Sequence, residues 1–469
     1  MYIDALKKVY VIGIKGSGVI AAVEILHSMG IEISGSDTNE KFFTDEILQR
    51  LGINYKENFS ANNIPADVDL VIYSTAYNEN NNIEFKVAKE KGLQMISYPE
   101  ILAELFNEKY GIAVAGTHGK TTTSAMLAHV LKEMGKDPSA IIGSRVINWE
   151  GNALAGQGEF FVAEADEFQN KLKLYNPKGV ILTSIDFDHP DFFPTFEDYK
   201  KVFKEFVARI PKTGFLVVWG DSVDTLEIAN ETGGVVLTYG LGEENSYKIL
   251  NLKLQISNEL QNLNDQKPKQ SFRVDYKNEN LGEFEIQLVG RHNILNATAV
   301  IATCHKLNLD LKKTRQAIAS FQGTKRRFEY IGERNGAVLI DDYGHHPEEI
   351  KATLKGAREI YPNKNIWAVF HPHSYSRTEA LLQEFAQSFS DAGRVIVLDI
   401  YGSARENSGK VNSNDLVKLI NKFDRDKAEY IKTIDEAVEF LRDKIGEDDV
   451  VITIGAGNCW EVVEKLKKN

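Results

Sequence analysis

The six residues Gly116-Thr117-His118-Gly119-Lys120-Thr121 follow an apolar run, Gly111-Ile112-Ala113-Val114-Ala115, and lead into a helical pattern. A strand, a tight glycine-containing loop and a helix together aim backbone N–H groups at phosphate oxygens, with the helix dipole adding to the pull. Lys120 supplies a positive charge there, and the Thr121 hydroxyl, with Thr122 beside it, is suited to a phosphate-bound Mg²⁺. The spacing Gly-x-x-Gly-Lys-Thr is shorter than the general phosphate-loop pattern, whose first glycine is replaced by Val114. An ordinary turn with an incidental lysine would require strand, loop and helix to coincide by accident. His118 carries no signal by itself.

A phosphate loop needs a metal-binding acid at the end of a neighbouring strand. The apolar run 160–163 ends in Glu164-Ala165-Asp166-Glu167, and the run 179–184 is followed by Asp186-Phe187-Asp188-His189. Glu164 is the preferred Mg²⁺ ligand and His189 a candidate for a second metal position. For Asp186 and Asp188 a solvated acidic turn is at least as good a reading. Near the amino terminus, Gly13-x-x-Gly16-x-Gly18 follows a strand, and Asp37 lies at the distance of a ribose-binding acid in a dinucleotide fold. Lys15 in that loop either adds charge toward phosphate or points to water. In the last third of the chain His345, His373 and Arg377 follow strand ends. Arginine there suits a carboxylate by paired hydrogen bonds, and histidine can orient or deprotonate an amine, though any one of the three could be structural. The segment Asn421-Lys422-Phe423-Asp424 fits a guanine-recognition pattern but follows a helical stretch, which favours coincidence.

These residues must be positioned by α/β elements. Strand-length apolar runs at 9–14, 31–34, 70–73, 111–115, 160–163, 179–184, 337–340, 366–370, 395–398 and 450–454 alternate with helical patterns, and their continuous apolarity marks parallel strands buried on both faces. With 469 residues, the simplest partition is three α/β domains, 1–106, 107–322 and 323–469. The polar stretch 255–280 reads as solvated hairpins or a loop. Hydrophobic residues at 43% and charged residues at 26% suit a well-packed globular enzyme. The net charge of −12 argues against nucleic acid or an anionic membrane as partner, so anionic ligands need local positive sites. Cys304 and Cys459 are too far apart in sequence and too few for a disulfide framework or a zinc site, which fits a reducing cytoplasm. No window reaches the length of a membrane span.

Taken together, Gly116 to Thr123, Glu164-Ala165-Asp166-Glu167, Gly290-Arg291-His292-Asn293-x-x-Asn296, Arg326-Arg327-Phe328-Glu329, Asp341-Asp342-Tyr343-Gly344-His345-His346-Pro347 and His371 to Thr378 resemble the Mur ligase family, in order and over nearly the whole chain. The resemblance implies a Rossmann-like first domain, a central P-loop ATPase-like domain and a Rossmann-like third domain. It implies ATP and Mg²⁺ as cofactors, with Gly116, Thr117, His118, Gly119, Lys120, Thr121 and Thr122 around the phosphates and Thr121, Glu164 and His189 on metal. Asn293 and Asn296 would meet adenine, Arg327 the phosphates and Asp342 the ribose. Gly16, Ser17, Gly18, Asp37, Ser74 and Thr75 would meet the UDP part of a sugar substrate, and His345, His373 and Arg377 an amino acid. Lys120, Glu164, His189, His345 and Arg377 would carry the reaction. The substrates implied are UDP-N-acetylmuramate and L-alanine, joined through an acyl phosphate by a monomer or homodimer. A related branch joins a recovered tripeptide instead, and two features lean that way: the Asp186 to His189 segment, and Phe168-Gln169 in place of a Ser-Asp. Ser374 stands where some members carry arginine, and Val19 departs from the small-residue pattern of the first loop.

Overall fold

The computed structural model describes residues 3–40, 42, 44–190, 192–255, 269–402 and 409–468. Among these, three sheets follow one another along the chain. The first is wholly parallel, in the order Tyr55–Lys56, Glu32–Ser36, Lys8–Ile12, Leu70–Tyr73, Met95–Ser97. Its initial strand stops at Ile12, short of the expected 14, because Gly13 takes a φ of +81° that turns the chain into the glycine loop. The sequence order reverses between Lys8–Ile12 and Leu70–Tyr73, so a crevice opens beyond their carboxyl ends.

The central sheet has Tyr110–Ala115 flanked by Phe160–Glu164 on one side and Gly179–Leu182 on the other, both parallel to it. Beyond Gly179–Leu182 come Phe215–Trp219 and Val235–Gly240, again parallel, and beyond Phe160–Glu164 comes Ser139–Val146, which hairpins with Gly151–Ala155. The chain leaves Tyr110–Ala115 in one direction and returns on the other side from Gly179, so the phosphate loop sits at a reversal of strand order, where the ends of three strands surround it. The polar stretch 255–280 is only partly loop. Lys269–Tyr276 pairs antiparallel with Tyr247–Gln255 and with Glu279–Ile286, and its alternate residues Phe272 and Val274 are buried under the helix Arg291–Lys306. Residues 256–268 of that stretch lie outside the described residues.

The third sheet runs Glu329–Arg334, Ala337–Asp342, Asp449–Ile454, Asn365–Phe370, Arg394–Val397, Ala428–Tyr430, with only the first strand antiparallel. Asn421 lies within the helix Ser413–Phe423, where its side-chain amide donates to the Ala428 carbonyl and its oxygen accepts from the Ala428 N–H. That exchange fixes an edge strand and leaves no guanine-reading group. The first two α/β units are joined by extensive packing, the third by less. The helix Tyr98–Asn107 starts on a Ser97/Glu100 capping box and buries Ile101, Leu102, Leu105 and Phe106, with Phe106 edge-on to Phe161 and Tyr175 of the central unit. One apolar core therefore spans the first and central sheets. Val289, just before the helix Arg291–Lys306, packs into the core of the third. No helix among the described residues is long and apolar enough to cross a membrane.

Candidate active site

The phosphate loop is laid across the end of the neighbouring strand. The Thr117 N–H donates to the Ser184 carbonyl at 2.7 Å, the His118 N–H to the Ser184 hydroxyl at 3.0 Å, and the Thr183 hydroxyl to the His118 carbonyl at 2.5 Å. Gly116 has φ +128°, and a Cβ there would lie 2.4 Å from the Thr183 hydroxyl. Gly119, at φ +78°, would place one 2.6 Å from Asn296 Oδ1. Both glycines are needed for conformation and for room. The Thr117 hydroxyl points inward, donating to the Asp186 carbonyl and meeting the Tyr199 hydroxyl, so Thr117 shapes the loop through its side chain as well as its N–H. Lys120 Nζ curls over the loop, 2.5 Å from the Gly116 carbonyl and 3.0 Å from Glu167 Oε2. Burial works against its charge, but Glu167 and the neighbouring acids more than offset this and hold its pKa above the ordinary lysine value.

Glu164 accepts from the Thr121 hydroxyl at 2.7 Å and from the Gly143 N–H at 2.6 Å. His189 lies elsewhere, with Nε2 3.7 Å from Glu167 Oε1, and one donor atom each of Asp166, Glu167 and His189 falls within 4.8 Å of the others. The structure thus pairs His189 with Glu167 and Asp166 more closely than with Glu164. Glu167 is the functional candidate that sequence reasoning passed over. It is 1% exposed, bound to Lys120 and to the Tyr199 hydroxyl, and the available signal was its place three residues beyond Glu164, in the turn that leaves the same strand. Carboxylates and a threonine hydroxyl are hard oxygen donors suited to Mg²⁺, so the residues present fit that ion.

Two cavities meet at the loop. One, of about 330 Å³, is lined by Asn293, Asn296, Arg327 and Asp342, with Trp219 and Tyr239 supplying aromatic wall. Asn293 donates to the Val289 carbonyl at 2.6 Å and accepts from Asn296 at 3.2 Å, and the Asn296 amide lies against Gly119. Asp342 accepts from the Phe328 and Gly344 N–H groups, and burial pushes its carboxyl up to about 6 although Arg327 opposes this. The other cavity, of about 640 Å³, draws Ser17 from the first sheet's unit, Lys120, Glu164 and Asp188 from the central one, and Arg327 and His345 from the third.

Charged pairs close the seam between the central and third units. Glu349, in the first turn of Pro347–Ile360, lies 3.3 Å from His118 Nδ1 and 3.7 Å from Arg327, and accepts from the His345 N–H at 2.9 Å. The His118 ring has Asp186 at 3.3 Å on its other nitrogen, an approach without hydrogen-bond alignment. Burial lowers the His118 pKa, and the two carboxylates override it, holding the imidazolium to about 9. Further along, Arg377 gives two hydrogen bonds to Asp188 Oδ1, at 2.8 and 3.0 Å, with both residues buried. The reading of Asp188 as a solvated turn is overturned: the cavity wall and Arg377 cover it. His373 Nδ1 is 3.2 Å from Arg377, and the His345 ring is 5.9 Å from that of His373. Burial, reinforced by Arg377, lowers His345 to about 3, so its imidazole is neutral.

In the first unit, Gly16 and Gly18 form the loop and Ser17 opens the helix Ser17–Ser28, with Ser74 and exposed Thr75 at the next strand end. The Ser17 carbonyl accepts from the Asn152 amide at 3.0 Å, docking this loop on the central unit. Asp37 is spent internally, accepting from the Lys15 and Thr38 N–H groups at 2.7 Å each, so it shapes the loop instead of facing a ligand.

Three family models tile the sequence: the Mur ligase family catalytic domain over residues 8–110, the Mur ligase middle domain over 114–304, and the Mur ligase glutamate ligase domain over 326–457. The UDP-N-acetylmuramate–L-alanine ligase of Desulfitobacterium hafniense is 40% identical over 98% of this chain and 99% of its own. The chain belongs to the Mur ligase family. Another relative of this family, the UDP-N-acetylmuramate–L-alanine ligase of Caldanaerobacter subterraneus, is 36% identical over 99% of this chain and 98% of its own. Among solved Mur ligases, the UDP-N-acetylmuramate-alanine ligase of Thermotoga maritima superposes with a TM-score of 0.78 at 26% identity, covering 98% of each chain. A murein peptide ligase from Psychrobacter arcticus shares the fold, at 0.69 and 22%, again over 98% of each.

The departures of this Mur ligase from the family pattern have structural roles. Lys15 reaches neither phosphate nor water: its ammonium is enclosed by Asp45 at 3.1 Å, Glu57 at 3.3 Å and the carbonyls of Thr38 and Glu40, over the Tyr55 ring. Val19 is buried, 3.1 Å from where a Gly16 Cβ would lie, and packs the loop's underside. Phe168 lays its ring 4.9 Å from that of His189, before a backbone in which Gln169 and Asn170 take φ near +55°. Ser374, at φ +64°, accepts from the Arg377 N–H and caps the short helix Tyr375–Ala380 that carries Arg377.

Proposed function

We propose that the chain joins the amine of L-alanine to the lactyl carboxylate of UDP-N-acetylmuramate at the expense of ATP. The observation that carries this is the cavity to which all three α/β units contribute, with a phosphate loop on one wall and neutral His345 on another. The names of the relatives that align end to end agree with it. A carboxylate and an ammonium do not condense in neutral water, so the acid must be activated and the amine must lose a proton.

In this reading the lactyl carboxylate attacks the γ-phosphorus, the bond to the ADP oxygen breaks, and the amine nitrogen then attacks the acyl carbon with loss of phosphate. Gly116, Gly119 and the N–H groups of Lys120, Thr121 and Thr122 at the helix start hold the phosphates, Thr117 and His118 shape the loop through their bonds to Ser184, and the Lys120 ammonium offsets the negative charge where two anions meet. Asn293 and Asn296 take the adenine edge, Asp342 the ribose, and Arg327 reaches the phosphates from the third unit. Thr121 and Glu164 would hold one Mg²⁺, and His189 with Glu167 and Asp166 a second position. When bound, the ion supplies charge neutralisation at the phosphates. Gly16, Ser17, Gly18, Ser74 and Thr75 take the UDP group, with Asp37 shaping that loop. His345, His373 and Arg377 receive the amino acid, and the neutral His345 imidazole offers a hydrogen-bond acceptor that orients its amine.

The test is phosphate release with ATP, Mg²⁺ and UDP-N-acetylmuramate while L-alanine, glycine, L-serine and the tripeptide L-alanyl-γ-D-glutamyl-meso-diaminopimelate are offered in turn. The highest kcat/KM is expected with L-alanine. Turnover with the tripeptide alone would replace this reading by the recycling ligase.

A further inference from the structure

The guanidinium assigned to the amino-acid carboxylate is already occupied. Arg377 gives both its Nε and Nη2 hydrogens to Asp188 Oδ1, which also accepts from the His189 N–H at 2.7 Å. Asp188 fronts the reaction cavity together with His189, His345 and His346, whereas Arg377 lies behind it and has no share in the cavity wall. The two partners come from different units: Asp188 from the loop after Gly179–Leu182, Arg377 from the helix Tyr375–Ala380. A ligand with only a negative charge would have to strip Asp188 from Arg377 and leave a buried carboxylate unpaired. A ligand with only a positive charge would leave the guanidinium unpaired. Either leaves an uncompensated buried charge, the costly outcome for a buried ion pair. A zwitterion with its two charges one carbon apart leaves neither: its carboxylate replaces Asp188 on Arg377, and its ammonium takes the place of Arg377 on Asp188.

We propose that Asp188 is a specificity-determining residue that binds the α-ammonium of the incoming amino acid, which enters by splitting the Asp188–Arg377 pair. The inference rests on the reading of the acceptor as an α-amino acid. It explains selection for a free amino acid by charge pattern, before any contact with the side chain. Because the pair bridges two units, entry is coupled to a small opening of the seam between them.

The experiment uses the full-length enzyme with ATP, Mg²⁺ and UDP-N-acetylmuramate, and compares wild type with Asp188→Asn by phosphate release. In the variant, KM for L-alanine is expected to rise roughly 30-fold or more while KM for ATP changes less than about 3-fold. Propionate, a carboxylate without an ammonium, should inhibit the variant more tightly than wild type, because Arg377 no longer has a competing anion. L-Alaninamide, an ammonium without a carboxylate, should lose its inhibition. A purely structural ion pair would weaken all three ligands together, and that result, or an unchanged KM for L-alanine, would overturn the proposal. If the variant does not fold by thermal melting, wild type decides alone: propionate and L-alaninamide should each inhibit at concentrations at least about 10-fold above the L-alanine KM. Either ligand inhibiting below that threshold would overturn it. Wild type inactive with L-alanine would instead remove the underlying reading of function.

Discussion

Lys120 is held between its own loop carbonyls and Glu167, an arrangement that keeps the ammonium charged within the phosphate loop. Lys120→Ala should lower kcat by ~10²-fold or more with the fold retained by circular dichroism, although the buried Glu167 loses its cation and the thermal midpoint falls. Near-normal turnover would separate the loop from catalysis. Glu24 offers a test of electrostatics away from the site. Its side chain is largely buried, pairs with Arg50 through one oxygen at 3.1 Å and leaves the other unpartnered, and burial pushes its carboxyl up to about 7 from 4.5 despite that arginine. Between those two values the native protein holds the proton that the unfolded chain has lost. Stability contributed here is therefore full below about pH 4.5 and is lost as pH rises toward 7, by up to ~3 kcal/mol. Urea denaturation of Glu24→Gln should show a shallower decline over that window and a higher midpoint at pH 8 than wild type. A parallel decline in both proteins would contradict it.

At the scale of elements, the phosphate loop works because two glycines let it pass under Thr183 and Asn296 without collision. Gly119→Ala would put a methyl 2.6 Å from Asn296 Oδ1 at a φ of +78°, so the loop or the helix Arg291–Lys306 must shift. KM for ATP should rise roughly 10-fold or more, since adenine and phosphate contacts are then displaced relative to each other. An unchanged KM would place the nucleotide elsewhere. Much of this was legible in the sequence: strand, loop and helix announced themselves through continuous apolarity, glycine placement and the Lys-Thr pair. What was hidden came from distant parts of the chain. Glu167 reads as one acid among three until Tyr199 and Lys120 fold onto it, Asp188 reads as a surface acid until Arg377 arrives from another unit, and Lys15 reads as a ligand-facing charge until Asp45 and Glu57 enclose it. The strand Lys269–Tyr276 was obscured because only one of its faces is buried, so half its residues are polar.

Over the whole molecule, three α/β units surround one cavity. The first and central units share a continuous core, whereas the central and third meet at the site through charged groups, His118 on Glu349 and Asp188 on Arg377. That seam is the one expected to move. Glu349→Gln keeps an acceptor for the His345 N–H but removes the charge facing His118 and Arg327. It should raise KM for ATP several-fold with a thermal midpoint close to wild type, and a large fall in midpoint without a change in KM would assign Glu349 to stability alone. In the proposed reaction ATP activates the lactyl carboxylate directly. This step is tested by supplying UDP-N-acetylmuramate labelled with ¹⁸O in that carboxylate, together with ATP, Mg²⁺ and L-alanine, and weighing the phosphate released. Transfer of one ¹⁸O from a fully labelled carboxylate to each phosphate is the expected result; phosphate free of label would contradict an acyl phosphate and the ligase reading built on it.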